Sequence, residues 1–128
     1  MVADDDEAVR EMLRRGLEDY GYRVVLAGNG AEAVSAFKRH PDVAAFVTDW
    51  AMPVMDGAKA VAAVRQANPA LPVLFLSGEN GENDEGESEL GSAAVGMTRR
   101  LTKPVELEAL LCAVAEMVKA GERTEPGP

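Results

Sequence analysis

Short apolar runs alternate along this chain with segments of helical periodicity, and that alternation narrows the possible folds more than any other feature. Arg23-Val24-Val25-Leu26-Ala27, Val43 to Thr48 and Val73-Leu74-Phe75-Leu76 read as buried strands, punctuated by Gly28-Asn29-Gly30, Pro41-Asp42 and Pro72. Residues 7–20 place Val9, Met12, Leu13, Leu17 and Tyr20 on one helical stripe, with Arg10, Glu11, Arg14 and Arg15 opposite. Helices are also expected over 31–39, with Ala33, Val34 and Phe37 inward, and over 58–67, with Val61 and Val64 inward. A short strand around 98–101 precedes Lys103-Pro104, and a final helix over 105–119 is expected to bury Leu107, Leu110, Leu111, Val114 and Val118, with Cys112 on its apolar face as a buried thiol. Repeated βα units joined by short loops call for right-handed crossovers, hence a parallel sheet with helices on both faces. In such a sheet ligands gather at the carboxyl ends of the strands.

The residues at those ends are Asp4 and Asp5, Asp49, Ser77 and Lys103. Asp49 stands out because the apolar run Val47-Thr48 leads directly into it, and Trp50-Ala51-Met52-Pro53-Val54-Met55-Asp56-Gly57 follows as a punctuated loop. Taken alone, it reads equally well as a turn former. Carboxylates converging at neighbouring strand ends resist ionising together unless a cation sits between them. Mg²⁺ suits such a group, since it takes one or two carboxylates, waters and phosphate oxygens in octahedral geometry. The run Asp4-Asp5-Asp6-Glu7 also suits helix capping, and both roles are compatible if Asp6 or Glu7 serves the helix. Lys103 precedes a proline, which favours extended backbone and directs the ammonium off the strand end, where it would meet a phosphoryl oxygen as a point charge. A solvated surface lysine is the plainer reading of that residue by itself.

A chain of 128 residues, 47% of them apolar, suffices for one domain with a core and leaves no room for a second. The expected division is a domain over 1–120 and a disordered tail over 121–128. Net charge is −9, from 22 acids against 13 bases, which argues against direct nucleic-acid binding. The excess is concentrated between residues 79 and 90, which hold Glu79, Glu82, Asp84, Glu85, Glu87 and Glu89 and no lysine or arginine. No apolar run approaches the roughly 20 residues that cross a bilayer, and the acidic start lacks the basic region of a secretory signal, so no membrane association and a cytoplasmic location are expected. The lone Cys112 has no internal disulfide partner, and His40 reads as a surface loop residue.

Taken together, these residues resemble the receiver domain of two-component response regulators, the CheY-like family, over nearly the full length. The resemblance is carried by Asp4-Asp5 after the first strand, Asp49 with Met52-Pro53 and Asp56-Gly57 behind it, Ser77 after the fourth strand and Lys103-Pro104 after the fifth, all in family order. It implies a (βα)5 flavodoxin-like three-layer sandwich with a five-stranded parallel sheet of order 2-1-3-4-5. It also implies that Asp49 accepts a phosphoryl group from a histidine kinase, a phosphotransfer protein or a small donor such as acetyl phosphate. Asp5, Asp49 and the Ala51 backbone carbonyl would bind Mg²⁺, with Asp4 acting through a water. Lys103 would pair with the phosphoryl group and the Ser77 hydroxyl would move to it, passing the state to a downstream protein or an attached output domain. The chain would be a signalling phosphoacceptor that at most catalyses its own phosphorylation and dephosphorylation.

Three departures from the family pattern follow. Only Met1-Val2-Ala3 precede Asp4, so the first strand is either truncated or continued upstream. Residues 78–92, where the family has its fourth helix, hold four glycines and one large apolar residue, so that helix is expected to be short, mobile or missing. The position three residues before Lys103, usually an aromatic that rotates on phosphorylation, is Arg100, which makes Arg100 with Ser77 the candidate switch pair. Two other functions compete. A phosphohydrolase with an aspartate nucleophile would place a second Asp where Ala51 stands, and a pseudo-receiver would bind partners without phosphorylation.

Overall fold

The computed structural model describes residues 1–78 and 98–123. Strands β1 (Val2–Ala3), β2 (Leu26–Ala27), β3 (Phe46–Asp49), β4 (Val73–Ser77) and β5 (Thr98–Thr102) form one sheet of order β2-β1-β3-β4-β5. Every pairing is parallel. Among the described residues the helices are α1 (Glu7–Asp19), α2 (Gly30–Arg39), α3 (Gly57–Ala67) and α4 (Leu107–Arg123). This is the (βα)5 flavodoxin-like order expected above. Of the segment 78–92, expected to hold a short, mobile or missing helix, all but Gly78 lies outside the described residues, as does the acidic run within it. Helix α4 continues to Arg123, past the helix end expected at 119 and into the tail expected to be disordered over 121–128, and residues 124–128 lie outside the description.

The sheet divides the core in two, and the alternation of strand side chains decides which residue enters which half. Phe46, Val73 and Phe75 face α2 and α3, where they meet Phe37, Val61, Val64 and Trp50. Val2, Val47, Leu74 and Leu76 face α1 and α4, where they meet Leu13, Leu17, Leu110, Val114 and Met117. All five residues of β4 are buried, which explains why it reads as an uninterrupted apolar run. β1 is as short as its sequence implied, yet it lies between β2 and β3, with Val2 opposite Leu26 and Val47 and Ala3 opposite Ala27 and Thr48.

Several finer expectations are corrected. Cys112 is exposed, because the buried positions of α4 are Leu110, Leu111, Ala113, Val114 and Met117, and at about 100° per residue position 112 falls on the opposite face of the helix. Leu107 is exposed on one side, yet it lies over Gly16, where an added Cβ would come within 2.4 Å of it. Met12 and Tyr20 are exposed, so the buried stripe of α1 is narrower than its apolar pattern and rests on Leu13 and Leu17. The strand expected over 23–27 pairs only at Leu26–Ala27, and Leu26 is itself exposed because β2 is the edge of the sheet.

Candidate functional site

Local sequence brings each side chain to the carboxyl edge of the sheet. At β1, the chain turns immediately into α1, and Asp6 caps that helix by accepting from Ala8 N and Val9 N. Capping therefore falls to Asp6, leaving Asp4 and Asp5 at the strand end. Asp4 is fully buried, and its Oδ1 accepts from Asp6 N at 2.9 Å. Arg10 secures the same residue from α1, donating Nη1 to the Asp4 carbonyl at 2.7 Å. Nothing in the sequence beyond its place on the polar face of α1 distinguished Arg10 from its neighbours.

Asp49 ends β3 with 8% of its surface exposed. The loop behind it is held at both ends by glycines whose need was not apparent from turn chemistry alone. Gly57 N donates to Trp50 O at 2.7 Å, and a Cβ on Gly57 would lie 2.3 Å from the Asp49 carbonyl oxygen. Gly30 N donates to Met55 O at 2.9 Å, and a Cβ there would lie 2.4 Å from that oxygen. Asp56 caps α3 by accepting from Lys59 N, and Thr48 Oγ1 donates to the Asp49 carbonyl. Such bonds fix the main chain on both sides of the Asp49 carboxylate. Ala51, two residues beyond Asp49, is exposed. Val54 in the same loop is exposed and has φ of 70°, an unusual conformation for a β-branched residue.

From the other side, Ser77 ends β4 buried, and its carbonyl accepts from Lys103 N at 2.8 Å. That bond ties the ends of β4 and β5 together. The Lys103–Pro104 peptide is cis. The ammonium of Lys103 lies 3.3 Å from Asp4 Oδ2 and 3.2 Å from Asp49 Oδ2. Asp4, Asp5 and Asp49 offer carboxylate oxygens within 4.8 Å of one another. Five residues from four strand ends, separated by up to 99 positions in sequence, thus meet at one place, with Ser77 joined through its main chain.

Electrostatics make this a site with unmet demand for positive charge. At an effective dielectric of about 20, two ionised carboxylates at the 4.8 Å limit repel by about 3 kcal/mol. Burial, then the neighbouring Asp4, push the Asp49 carboxyl above its ordinary value, against the opposing pull of Lys103. Burial works against the charge on Lys103, but the Asp4 and Asp49 carboxylates outweigh it and raise its pKa. One ammonium shared between carboxylates leaves the cluster with excess negative charge. The all-oxygen donor set, open to water at the exposed Asp5, is the kind that holds a hard divalent cation.

Arg100, the residue in place of the aromatic, stands opposite Phe75 in the β4–β5 register. Its guanidinium carbon lies 5.9 Å from the centroid of the Trp50 ring, which itself packs against Phe75 at 4.5 Å. The contact with Trp50 depends on strand register, which the local sequence does not reveal.

Comparison with known proteins agrees with this geometry. The family model described as "Response regulator receiver domain" matches residues 1–115. The response regulator MprA of Mycobacterium leprae is 36% identical over 127 residues, covering 98% of this chain and 52% of that protein. The chain thus spans about half the length of the curated relatives it matches. Among solved structures, a response regulator receiver domain protein from Clostridium thermocellum superposes with a TM-score of 0.85 at 22% identity, covering 97% of this chain and 96% of that one. The chemotaxis protein CheY4 of Vibrio cholerae gives a TM-score of 0.77 at 29% identity, covering 91% of this chain and 94% of its own. No helix among the described residues is long and apolar enough to cross a membrane. With fold, strand-end residues and family match in agreement, the chain belongs to the response regulator receiver domain family, a class of signalling modules.

Proposed function

We propose that Asp49 is the phosphoryl acceptor of a two-component pathway, taking the group from a phosphohistidine on a histidine kinase or phosphotransfer protein. The observation that carries this reading is the convergence of Asp4, Asp5 and Asp49 with Lys103 bridging two of them. One Asp49 oxygen attacks phosphorus as the P–N bond to the donor imidazole breaks, leaving an acyl phosphate on Asp49 and a neutral histidine once the ring is protonated. Such a transfer needs in-line placement and neutralisation of charge on the equatorial oxygens more than covalent help.

Residues for both tasks are at hand. Asp5, Asp49 and the Ala51 carbonyl are the proposed direct ligands for Mg²⁺, with Asp4 acting through a water. The bound cation would supply charge neutralisation and keep Asp49 ionised against the burial that raises its pKa. Lys103, already 3.2 Å from an Asp49 oxygen, would pair with the phosphoryl group as a point charge. Ser77, at the adjacent strand end, would present its hydroxyl to a phosphoryl oxygen. The two groups would then report the new charge to β4 and β5, and through them to a downstream protein or an attached output domain. Direct nucleic-acid or membrane contact has no part in this reading, which places the protein in the cytoplasm.

Trp50 gives a direct test, being the only tryptophan and the residue next to Asp49. Its emission should change on titration with Mg²⁺ and again on addition of beryllofluoride, a phosphoryl mimic that requires the aspartate. If the beryllofluoride response persists unchanged in Asp49→Ala, the assignment fails.

A further inference from the structure

The two acids at the end of β1 are held unequally. Asp4 is buried, and both of its carboxylate oxygens are engaged, Oδ1 by Asp6 N at 2.9 Å and Oδ2 by the Lys103 ammonium at 3.3 Å. Asp5 is exposed, and among the described residues no hydrogen bond holds its carboxylate. Its direction is therefore set by the main chain. The strand ladder gives little help there, since β1 pairs only at Val2 and Ala3, and α1 does not begin until Glu7. What fixes the intervening chain is a pair of bonds to Asp4. Asp4 N donates to Ala27 O at 3.1 Å, and the Asp4 carbonyl accepts from Arg10 Nη1 at 2.7 Å.

That carbonyl belongs to the peptide joining Asp4 to Asp5. A peptide group is planar, so holding its oxygen also holds the Asp5 nitrogen and the base from which the Asp5 side chain departs. Arg10 is well placed to do this. Its own N–H donates to Asp6 O at 2.9 Å in the first turn of α1, and a Cβ added to Gly28 would lie 3.3 Å from Nη1, so the guanidinium rests against the loop after β2. Charge alone would give Arg10 the opposite effect, because a guanidinium beside a cation site repels the cation. We propose that Arg10 is a positioning residue for the divalent cation, holding the Asp4–Asp5 peptide so that the Asp5 carboxylate faces the cluster it forms with Asp4 and Asp49. The inference rests on the cation-binding reading of that cluster.

The test is Mg²⁺ affinity, measured by calorimetry and by Trp50 emission, for the parent chain, Arg10→Met, Arg10→Gln, Arg10→Lys and Arg15→Met. Urea denaturation first establishes conditions in which each is fully folded, so that lost stability does not enter the affinity. Arg10→Met and Arg10→Gln, which lose the charge and the reach, should bind Mg²⁺ about tenfold more weakly, the lower end of the effect of residues that support metal ligands. Arg10→Lys, which keeps a charged donor on a long stem, should stay within about threefold of the parent. Arg15→Met removes the same charge from an exposed position of the same helix and should leave the affinity unchanged. An affinity in Arg10→Met or Arg10→Gln that is unchanged or tighter, as loss of a neighbouring cation alone would give, or an equal fall in Arg15→Met, would overturn the proposal. Failure of the parent chain to bind Mg²⁺ at all would instead defeat the cation-binding reading beneath it.

Discussion

Replacing Gly57 by alanine should disturb the site through a direct backbone collision. A Cβ at Gly57 would lie 2.3 Å from the Asp49 carbonyl oxygen and 3.2 Å from both the Asp49 carbonyl carbon and Thr48 Oγ1. None of these atoms yields easily. The Asp49 carbonyl accepts from Thr48 Oγ1 at 2.9 Å, and the next peptide is fixed to β4 through Trp50 N and Leu76 O. Moving the start of α3 back by the roughly 1 Å that ordinary contact demands would stretch the 2.7 Å bond from Gly57 N to Trp50 O beyond hydrogen-bonding range. The lost bond costs about 1 kcal/mol. Residual overpacking adds about 1–3 kcal/mol, and the better helix propensity of alanine returns less than about 1 kcal/mol. The net expectation is a loss of about 2 kcal/mol, up to about 30-fold in the folding equilibrium. Urea denaturation of Gly57→Ala beside Gly78→Ala supplies the comparison, because an added Cβ at Gly78 meets nothing within 4 Å. Equal midpoints for the two variants would refute the close-approach reasoning.

Other consequences concern charge, strain and packing. Burial and Asp4 hold the Asp49 pKa above its unfolded value, so the stability linked to its protonation is complete below the ordinary aspartate range and is lost as pH rises through the raised pKa. Asp49→Asn should therefore raise the melting temperature of the metal-free chain at neutral pH, and Mg²⁺, by stabilising only the parent, should narrow the difference. For the same reason Mg²⁺ affinity, followed by Trp50 emission, should fall on acidification before the pH reaches the range of an ordinary aspartate. Lys103→Met should weaken beryllofluoride binding about tenfold or more, with Mg²⁺ binding retained because the carboxylates lose a competing cation; parallel losses of both would contradict the geometry. Val54, exposed at φ of 70°, loses little packing when replaced, so Val54→Asn should raise the urea midpoint by about 1 kcal/mol equivalent. Leu74→Ala, at a fully buried position of β4, should cost about 3 kcal/mol by the same assay.

What the sequence made legible was periodicity and strand-end chemistry. The run Val73 to Leu76 and the stripe through Leu13 and Leu17 are local signals, and β4 and α1 appear where they indicate. The acids and Lys103 were legible because parallel strands bring their carboxyl ends to one edge whatever the detailed packing. Properties set by tertiary contact were not legible. Cys112 looked buried because apolar residues surround it in sequence, yet a helix buries only the face that meets the sheet, and residue 112 lies on the other. Gly57 and Gly30 read as punctuation, while their actual constraint is a carbonyl oxygen from another part of the chain. Arg10 holds the Asp4 main chain from the polar face of α1, and Arg100 meets Trp50 only once β4 and β5 are in register.

The central claim is that Asp49 takes a phosphoryl group in a cation-dependent reaction, and intact-mass measurement after incubation with acetyl phosphate tests it most directly. The parent chain should gain a single phosphoryl group in Mg²⁺ and none in excess chelator, and Asp49→Asn should gain none. A phosphoryl group that appears without Mg²⁺, or that persists in Asp49→Asn, would contradict the account.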